Sequence, residues 1–319
     1  MNVVFMGTPE FAVPSLSSLT TSAHKVTAVI TQPDRPKNRS TVPCFSPVKE
    51  AALAQGLKII QPVNVNDDAV VTQLTDLSPD CIVVVAFGQF LSNPIIRLPR
   101  YRCINIHASL LPRFRGAAPI NWAIIQGETI TGVTSVVMTA KMDAGDIIAK
   151  KTTPIFPEDN AGILGERLAS MGAHLLVETL DLIETGEATY TKQDEKEATF
   201  APKLKKETGL IQWSQQKQNI HNLIRGLTPS PGAYTYYAKS GSAEKKRIVV
   251  LRTQIHETFN TKESFSPGVI VEVASCGIHV AAADGVVCIT RLQQEGRRPM
   301  DSREYLRGNK IAVRDMFFS

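Results

Sequence analysis

The chain has 319 residues, of which 43% are hydrophobic and 20% charged, enough for two domains or one large one with a real core. It contains no apolar run of the roughly 18 residues a membrane helix needs, and Val3-Val4-Phe5 follows the N-terminus without a basic leader, so neither a span nor a secretory signal is expected. The net charge of +5 is uneven: residues 1–202 hold 17 Lys+Arg against 20 Asp+Glu, whereas residues 203–319 hold 18 against 10, which favours a polyanionic partner for the second part, nucleic acid first.

Along the first half, short β-branched runs alternate with helical stretches. Residues 2–6, 25–31, 57–61, 81–86 and 103–106 read as strands, and helices begin near Pro9, Pro47 and Asp67. Cys81-Ile82-Val83-Val84-Val85-Ala86 is apolar throughout, as expected of a parallel strand covered on both faces. The fold class is therefore α/β, an open and mostly parallel Rossmann-like sheet with ligands at the carboxyl ends of its strands. Another strand-like run covers 133–139, and helices are expected over 116–126 and 161–183.

Residues 187–206 are polar and charged and read as a linker. After a helix near 214–226, the turn-rich Thr228-Pro229-Ser230-Pro231-Gly232 leads into short alternating runs at 233–238, 247–254, 268–274, 277–283 and 286–291. That pattern suggests a small OB-like β-barrel. The expected division is 1–188 for the α/β domain, 189–206 for the linker and 207–319 for the barrel.

Most chemistry-bearing residues gather at one strand end. Asn105 and His107 are two residues apart at the end of an apolar run, so in a strand they face one space. Asp143, beyond the 133–139 run, can complete an amide, imidazole and carboxylate group suited to acyl or formyl transfer to an amine. Gly7-Thr8-Pro9-Glu10-Phe11 is not a dinucleotide-binding turn, no phosphate-binding P-loop occurs, and Ser109 lies outside a nucleophile elbow. Cys44, Cys81, Cys103, Cys276 and Cys288 show no C-x-x-C spacing, and the other five histidines are isolated. A reduced, cytoplasmic protein without a thiolate zinc site is expected.

Asn105-x-His107-x-Ser109-Leu110-Leu111-Pro112, Arg115-Gly116-Ala117-Ala118-Pro119 and Asp143-x-Gly145-Asp146 resemble the signature of 10-formyltetrahydrofolate-dependent formyltransferases. The segments Gly7–Phe11, Thr31-Gln32-Pro33-Asp34-Arg35-Pro36 and Ser46–Lys49 are similar to the branch that acts on methionyl-tRNA. The resemblance runs from Val3 to about Arg298, through Ala201-Pro202-Lys203-Leu204 and Ile224-Arg225-Gly226-Leu227-x-Pro229-x-Pro231. It implies formylation of initiator methionyl-tRNA with formyl-folate as co-substrate and no metal; a monomer is expected. Asn105, His107 and Asp143 would carry the chemistry. Ser109, Leu110, Leu111 and Pro112 would line the folate site, with Phe87 and Gly88 holding the pterin by backbone contacts. Arg35, Lys37 and Arg39 would touch the tRNA. The chain departs from the family in two places: its loop at 37–42 lacks glycines, and Asn121-Trp122 stands where many members have Gln-Arg. A nucleotide-sugar amine or water therefore stays open as acceptor.

Overall fold

The apolar runs of the first half pair side by side, and the central one, Cys81–Val85, buries both faces. In the computed structural model, which describes residues 1–36, 43–239, 244–255 and 265–319, they form β1 (Asn2–Gly7), β2 (Lys25–Ile30), β3 (Ile59–Ile60), β4 (Cys81–Val85) and β5 (Cys103–His107). These are mutually parallel, and β6 (Ile130–Val137) and β7 (Ile147–Pro154) extend the sheet antiparallel, in the order β7-β6-β5-β4-β1-β2-β3. Strand β7 escapes sequence reading because Lys150 and Lys151 interrupt its apolar pattern, a feature suited to a half-solvated edge.

Helices α1 (Val13–Thr20), α2 (Pro47–Ala54), α3 (Asp68–Asp76), α4 (Asn93–Arg97), α5 (Pro119–Ile125) and α6 (Ala161–Thr185) follow the expected runs, with α4 and the exact ends added by the structure. Ser46 caps α2 by accepting from the Lys49 amide at 3.1 Å, with Pro47 in the first turn. Alternate strand residues serve opposite cores. Val3, Phe5, Val83, Ile104 and Ile106 meet Leu176, Leu180 and Ile183 of α6, whereas Val4, Met6, Ile82 and Val84 meet Leu74 of α3 and Ile95 of α4. A Cβ on Gly172 would lie 2.9 Å from Ile106 Cγ2, so this glycine permits the close approach of α6 to β5.

The chain divides into two compact units. The first comprises Met1–Pro119, Ile130–Pro154 and Gly165–Pro202, and the second Ile120–Thr129, Ile155–Leu164 and Lys203–Ser319. Residues 189–202, read from sequence as linker, are thus counted in the first unit, where Phe200–Ala201 pairs in parallel with Arg115–Gly116.

In the second unit α7 (Lys217–Leu227) precedes β8 (Ala233–Ala238), β9 (Lys246–Ile255), β10 (Ile270–Ala274), β11 (Gly277–Ala282), β12 (Gly285–Gln294), β13 (Met300–Asp301), α8 (Ser302–Gly308) and β14 (Met316–Phe318). The antiparallel order is β10-β11-β12-β9-β8-β14, with β13 beside β12. The Ile270 amide donates to the Asp315 carbonyl at 2.9 Å and the Phe317 amide to the Gly268 carbonyl at 2.8 Å, so the two ends of the sheet meet. Alternate residues Ile278, Val280, Val287 and Ile289 point into its core with Trp213 and Phe317. Asn121 donates to the Gly226 carbonyl at the end of α7 at 2.7 Å, and the Arg225 guanidinium gathers the carbonyls of Phe156, Pro157 and Asp159. The two discontinuous segments are held to this unit by those bonds. No helix among the described residues is long and apolar enough to cross a membrane.

Candidate active site

Strand β5 ends on two polar side chains because its residues alternate. Ile104 and Ile106 face the α6 core, and Asn105 and His107 take the other side. His107 is buried, and its Nε2 lies 2.9 Å from the Phe114 carbonyl. A carbonyl only accepts, so Nε2 carries the proton and Nδ1 is the nitrogen left to exchange one. Nδ1 faces Asp143 Oδ2 at 3.7 Å, longer than a hydrogen bond. The same carboxylate accepts from the Gly116 amide at 2.9 Å and from Asn105 Nδ2 at 3.4 Å. The structure therefore brings together all three residues singled out as catalytic, with Asp143 bonded directly to Asn105 and Gly116 and facing the imidazole through space.

The backbone that carries the carboxylate is strained, and hydrogen bonds hold it. Asp143 has φ +50° and Phe114 has φ +60°, a region that residues with a Cβ rarely adopt. Gly116 has φ +122°, and a Cβ on it would fall 2.7 Å from the Ala201 carbonyl oxygen. Gln193 Nε2 donates to the carbonyls of Asp143 at 2.7 Å and Gly145 at 2.8 Å, clamping the loop from outside. Gln193 Oε1 in turn accepts from the buried Arg115 guanidinium, which also pairs with Glu195 at 3.0 Å. Hydrogen bonds from Arg115 and then Lys141 draw the Glu195 carboxyl down to about 2. Gln193 and Glu195 escaped sequence reading because they lie in the stretch taken for a linker, with no apolar period to mark it. The charged run Asp194–Glu197 was the available signal.

The turn after β5 is committed largely to itself. Ser109 is fully buried, its Oγ donates to the Arg113 carbonyl at 2.6 Å, and its carbonyl accepts from Thr134 Oγ1 at 2.7 Å. Leu111 packs with Val136 and Ile147, Pro112 is buried, and Leu110 is half-buried. These residues shape a surface by fixing the turn, and Ser109 offers its hydroxyl inward. At the end of β4, Phe87 is buried and its carbonyl accepts from Thr8 Oγ1 at 2.9 Å and Gln32 Nε2 at 3.4 Å. Gly88 is exposed at φ +87°, which leaves its main chain open. Thr8 and Gln32 thus join the β1 and β2 ends to this edge, a role that their motif segments did not reveal.

Arg35 is exposed on a two-residue ladder in which Arg35–Pro36 pairs with Pro43–Cys44. The preceding Asp34 is bound by Lys49 and Gln61, and the Lys49 ammonium holds its carboxyl below the usual range. Lys37 and Arg39 lie outside the described residues. Chemically, this edge presents an amide donor, an imidazole with one free ring nitrogen and an oriented carboxylate, and the Ser109 and Thr8 hydroxyls are committed to backbone carbonyls. It suits direct transfer between two bound partners.

Comparisons with known proteins agree with that chemistry. A family model described as formyl transferase matches residues 1–180, and one described as formyl transferase, C-terminal domain, matches residues 203–310. The chain is 45% identical over 98% of its length to a curated methionyl-tRNA formyltransferase from Geotalea uraniireducens, covering 96% of that protein. Among solved structures, methionyl-tRNA formyltransferase from Clostridium thermocellum superposes with a TM-score of 0.55 at 16% identity, covering 80% of this chain and 94% of that one. HypX from Aquifex aeolicus, solved in complex with tetrahydrofolic acid, shares the fold with a TM-score of 0.61 at 18% identity. The match covers 95% of this chain and 46% of HypX.

Proposed function

The chain belongs to the methionyl-tRNA formyltransferase family, and from that premise we propose that Asn105, His107 and Asp143 move the formyl group from 10-formyltetrahydrofolate to the α-amino group of initiator methionyl-tRNA. The reaction itself, formyl transfer for translation initiation, is the activity of the family. The observation that carries the residue assignment is the convergence of those side chains on one carboxylate, with Asn105 at 3.4 Å, the Gly116 amide at 2.9 Å and His107 at 3.7 Å.

The neutral methionyl amine attacks the formyl carbon, and the carbonyl oxygen becomes an oxyanion. Asn105 Nδ2 donates to that oxygen, an interaction that typically contributes about 3 kcal/mol to the transition state. The amine must lose a proton and folate N10 must gain one as the carbon–N10 bond breaks. His107 Nδ1 is placed to pass that proton, or when protonated to stand beside the oxyanion. Asp143 fixes Asn105 and faces the ring. The products are N-formylmethionyl-tRNA and tetrahydrofolate, and this route draws on no metal ion.

The Ser109–Pro112 turn and the open main chain at Gly88, beside Phe87, form the proposed folate wall. Arg35, Lys37 and Arg39 approach the acceptor end of the tRNA, with Arg35 supported by its exposure. The barrel unit, with Arg252 opposite Arg291 across neighbouring strands and both exposed, grips the tRNA backbone. We assign catalysis to the α/β part and tRNA grip to the barrel, in a monomeric cytoplasmic enzyme.

The direct test incubates the protein with charged initiator tRNA and 10-formyltetrahydrofolate and weighs the aminoacyl group. A gain of one formyl only when both substrates are present supports the reading. Formylation of an amino sugar instead, or free formate without acceptor, overturns it.

A further inference from the structure

We propose that Cys276, His279 and Cys288 bind one Zn2+ ion on the barrel unit, with Glu272 orienting the imidazole. The site is separate from the formyl-transfer residues and does not depend on their assignment. Its ligands come from strand pairing rather than from local spacing. Glu272 of β10 pairs with His279 of β11, which pairs with Cys288 of β12, so the register lines all three across adjacent strands. Residues that pair directly in a sheet project to the same face. Here that is the face opposite Ile278, Val280, Val287 and Ile289, which point into the core. The hairpin turn between β10 and β11 then carries Cys276 back over the row.

The donor atoms of Cys276, His279 and Cys288 all lie within 4.8 Å of one another, and Cys276 Sγ is 4.0 Å from His279 Nε2. The other ring nitrogen, Nδ1, lies 3.5 Å from Glu272 Oε2. A carboxylate behind one nitrogen, with thiols in front of the other, is the arrangement that orients a metal-binding imidazole. A Cβ on Gly277 would sit 2.4 Å from the Ile289 carbonyl oxygen and 2.6 Å from Cys288 Sγ, so this glycine permits the close approach of β11 to β12 beside that sulfur.

Two thiols and one imidazole select a thiophilic cation of tetrahedral preference, with a fourth position for solvent on the exposed side of Cys276. Sequence reading missed the site because C-x-x-H followed by a distant cysteine matches no finger spacing; only the β-register assembles it. The bound ion would pin the β10–β11 hairpin to β12.

The test uses the full-length chain, reduced, stripped with chelator and then given Zn2+, with bound metal counted after gel filtration. One zinc per chain, a higher Tm and its reversal by chelator are expected. Cys276→Ser, at an exposed position, should abolish binding without unfolding the barrel, and Glu272→Gln should weaken it about 10–100-fold. Cys44→Ser should bind as the native chain does. With Co2+ as probe, thiolate-to-metal absorption should appear in the native chain and vanish in Cys276→Ser. Zinc binding no stronger in the native chain than in Cys276→Ser, or Co2+ binding without thiolate absorption, overturns the proposal.

Discussion

The edge of the α/β sheet and the barrel both need backbone in the left-handed region; the barrel meets that need almost wholly with glycine, whereas the α/β edge combines Gly88 and Gly116 with residues that carry side chains. In the barrel unit the turns use glycine: Gly232, Gly268, Gly285 and Gly296 all have positive φ, and Arg314 alone among its described non-glycine residues does. In the first unit Ala86, Phe114 and Asp143 adopt it at or beside the candidate active site, with Ser78 and Arg102 elsewhere. A side chain there costs about 1–2 kcal/mol relative to a relaxed backbone. Glycine would remove that cost, but a glycine at 143 carries no carboxylate. At position 143 the strain accompanies a carboxylate that glycine could not supply, whereas the described turns of the barrel rely almost wholly on glycine.

The largest expected effect tests the chemistry that strain serves. His107→Ala should lower kcat about 10²–10⁴-fold and Asn105→Ala about 10²–10³-fold, with folate affinity by equilibrium titration nearly unchanged. Unchanged turnover in either variant removes that residue from the mechanism. Asp143→Gly separates strain from function: Tm should stay near the native value because relief of strain offsets the lost hydrogen bonds, while kcat falls about 10²-fold. A large loss of Tm would show that the carboxylate serves the fold first.

Gly116→Ala applies the opposite change, adding a Cβ 2.7 Å from the Ala201 oxygen at φ +122°. A loss of about 1–3 kcal/mol in denaturant unfolding is expected, with reduced kcat because the amide facing Asp143 shifts. An acid-stability measurement probes the clamp. The Glu195 carboxyl is lowered from its ordinary 4.5 to about 2 by Arg115 and Lys141, so its contribution is fully present above about pH 4.5 and is lost as pH falls toward 2. Glu195→Gln should flatten that part of the Tm–pH curve, and an unchanged curve would show that the exposed pair is screened. The smallest effect belongs to the loop base. Arg35→Glu should weaken tRNA binding a few-fold and reduce the slope of log K against log salt by about 0.7–0.9, and an unaltered slope would mean that Arg35 meets no phosphate.

Legibility differed by element for physical reasons. The five parallel strands could be read because strands covered on both faces are largely apolar, most fully in Cys81–Val85. The barrel strands at 233–238 and 277–282 were visible through alternation and glycine turns, whereas β7, α8 and β14 are short or half-polar and gave too little period. In the site, Asn105 and His107 were readable together because two-residue spacing within one strand is local geometry. The surroundings of Asp143 were not, since Gln193 reaches its carbonyl, and Glu195 backs Arg115 behind Gln193, from a segment whose composition resembles a solvated connection.

Composition, apolar periodicity and the Asn105–Pro112 motif by themselves determined the α/β sheet, the basic barrel and the class of chemistry, because each depends on residues near one another in the chain. Tertiary structure alone decided that Asp143 bonds Asn105 and faces His107 through space, that the Phe114 carbonyl accepts a hydrogen bond from His107 Nε2, and that Glu272, His279 and Cys288 line up across three strands. Those are contacts of register and loop packing. Their partners are set by how strands align and where strained turns hold them, which local sequence does not encode.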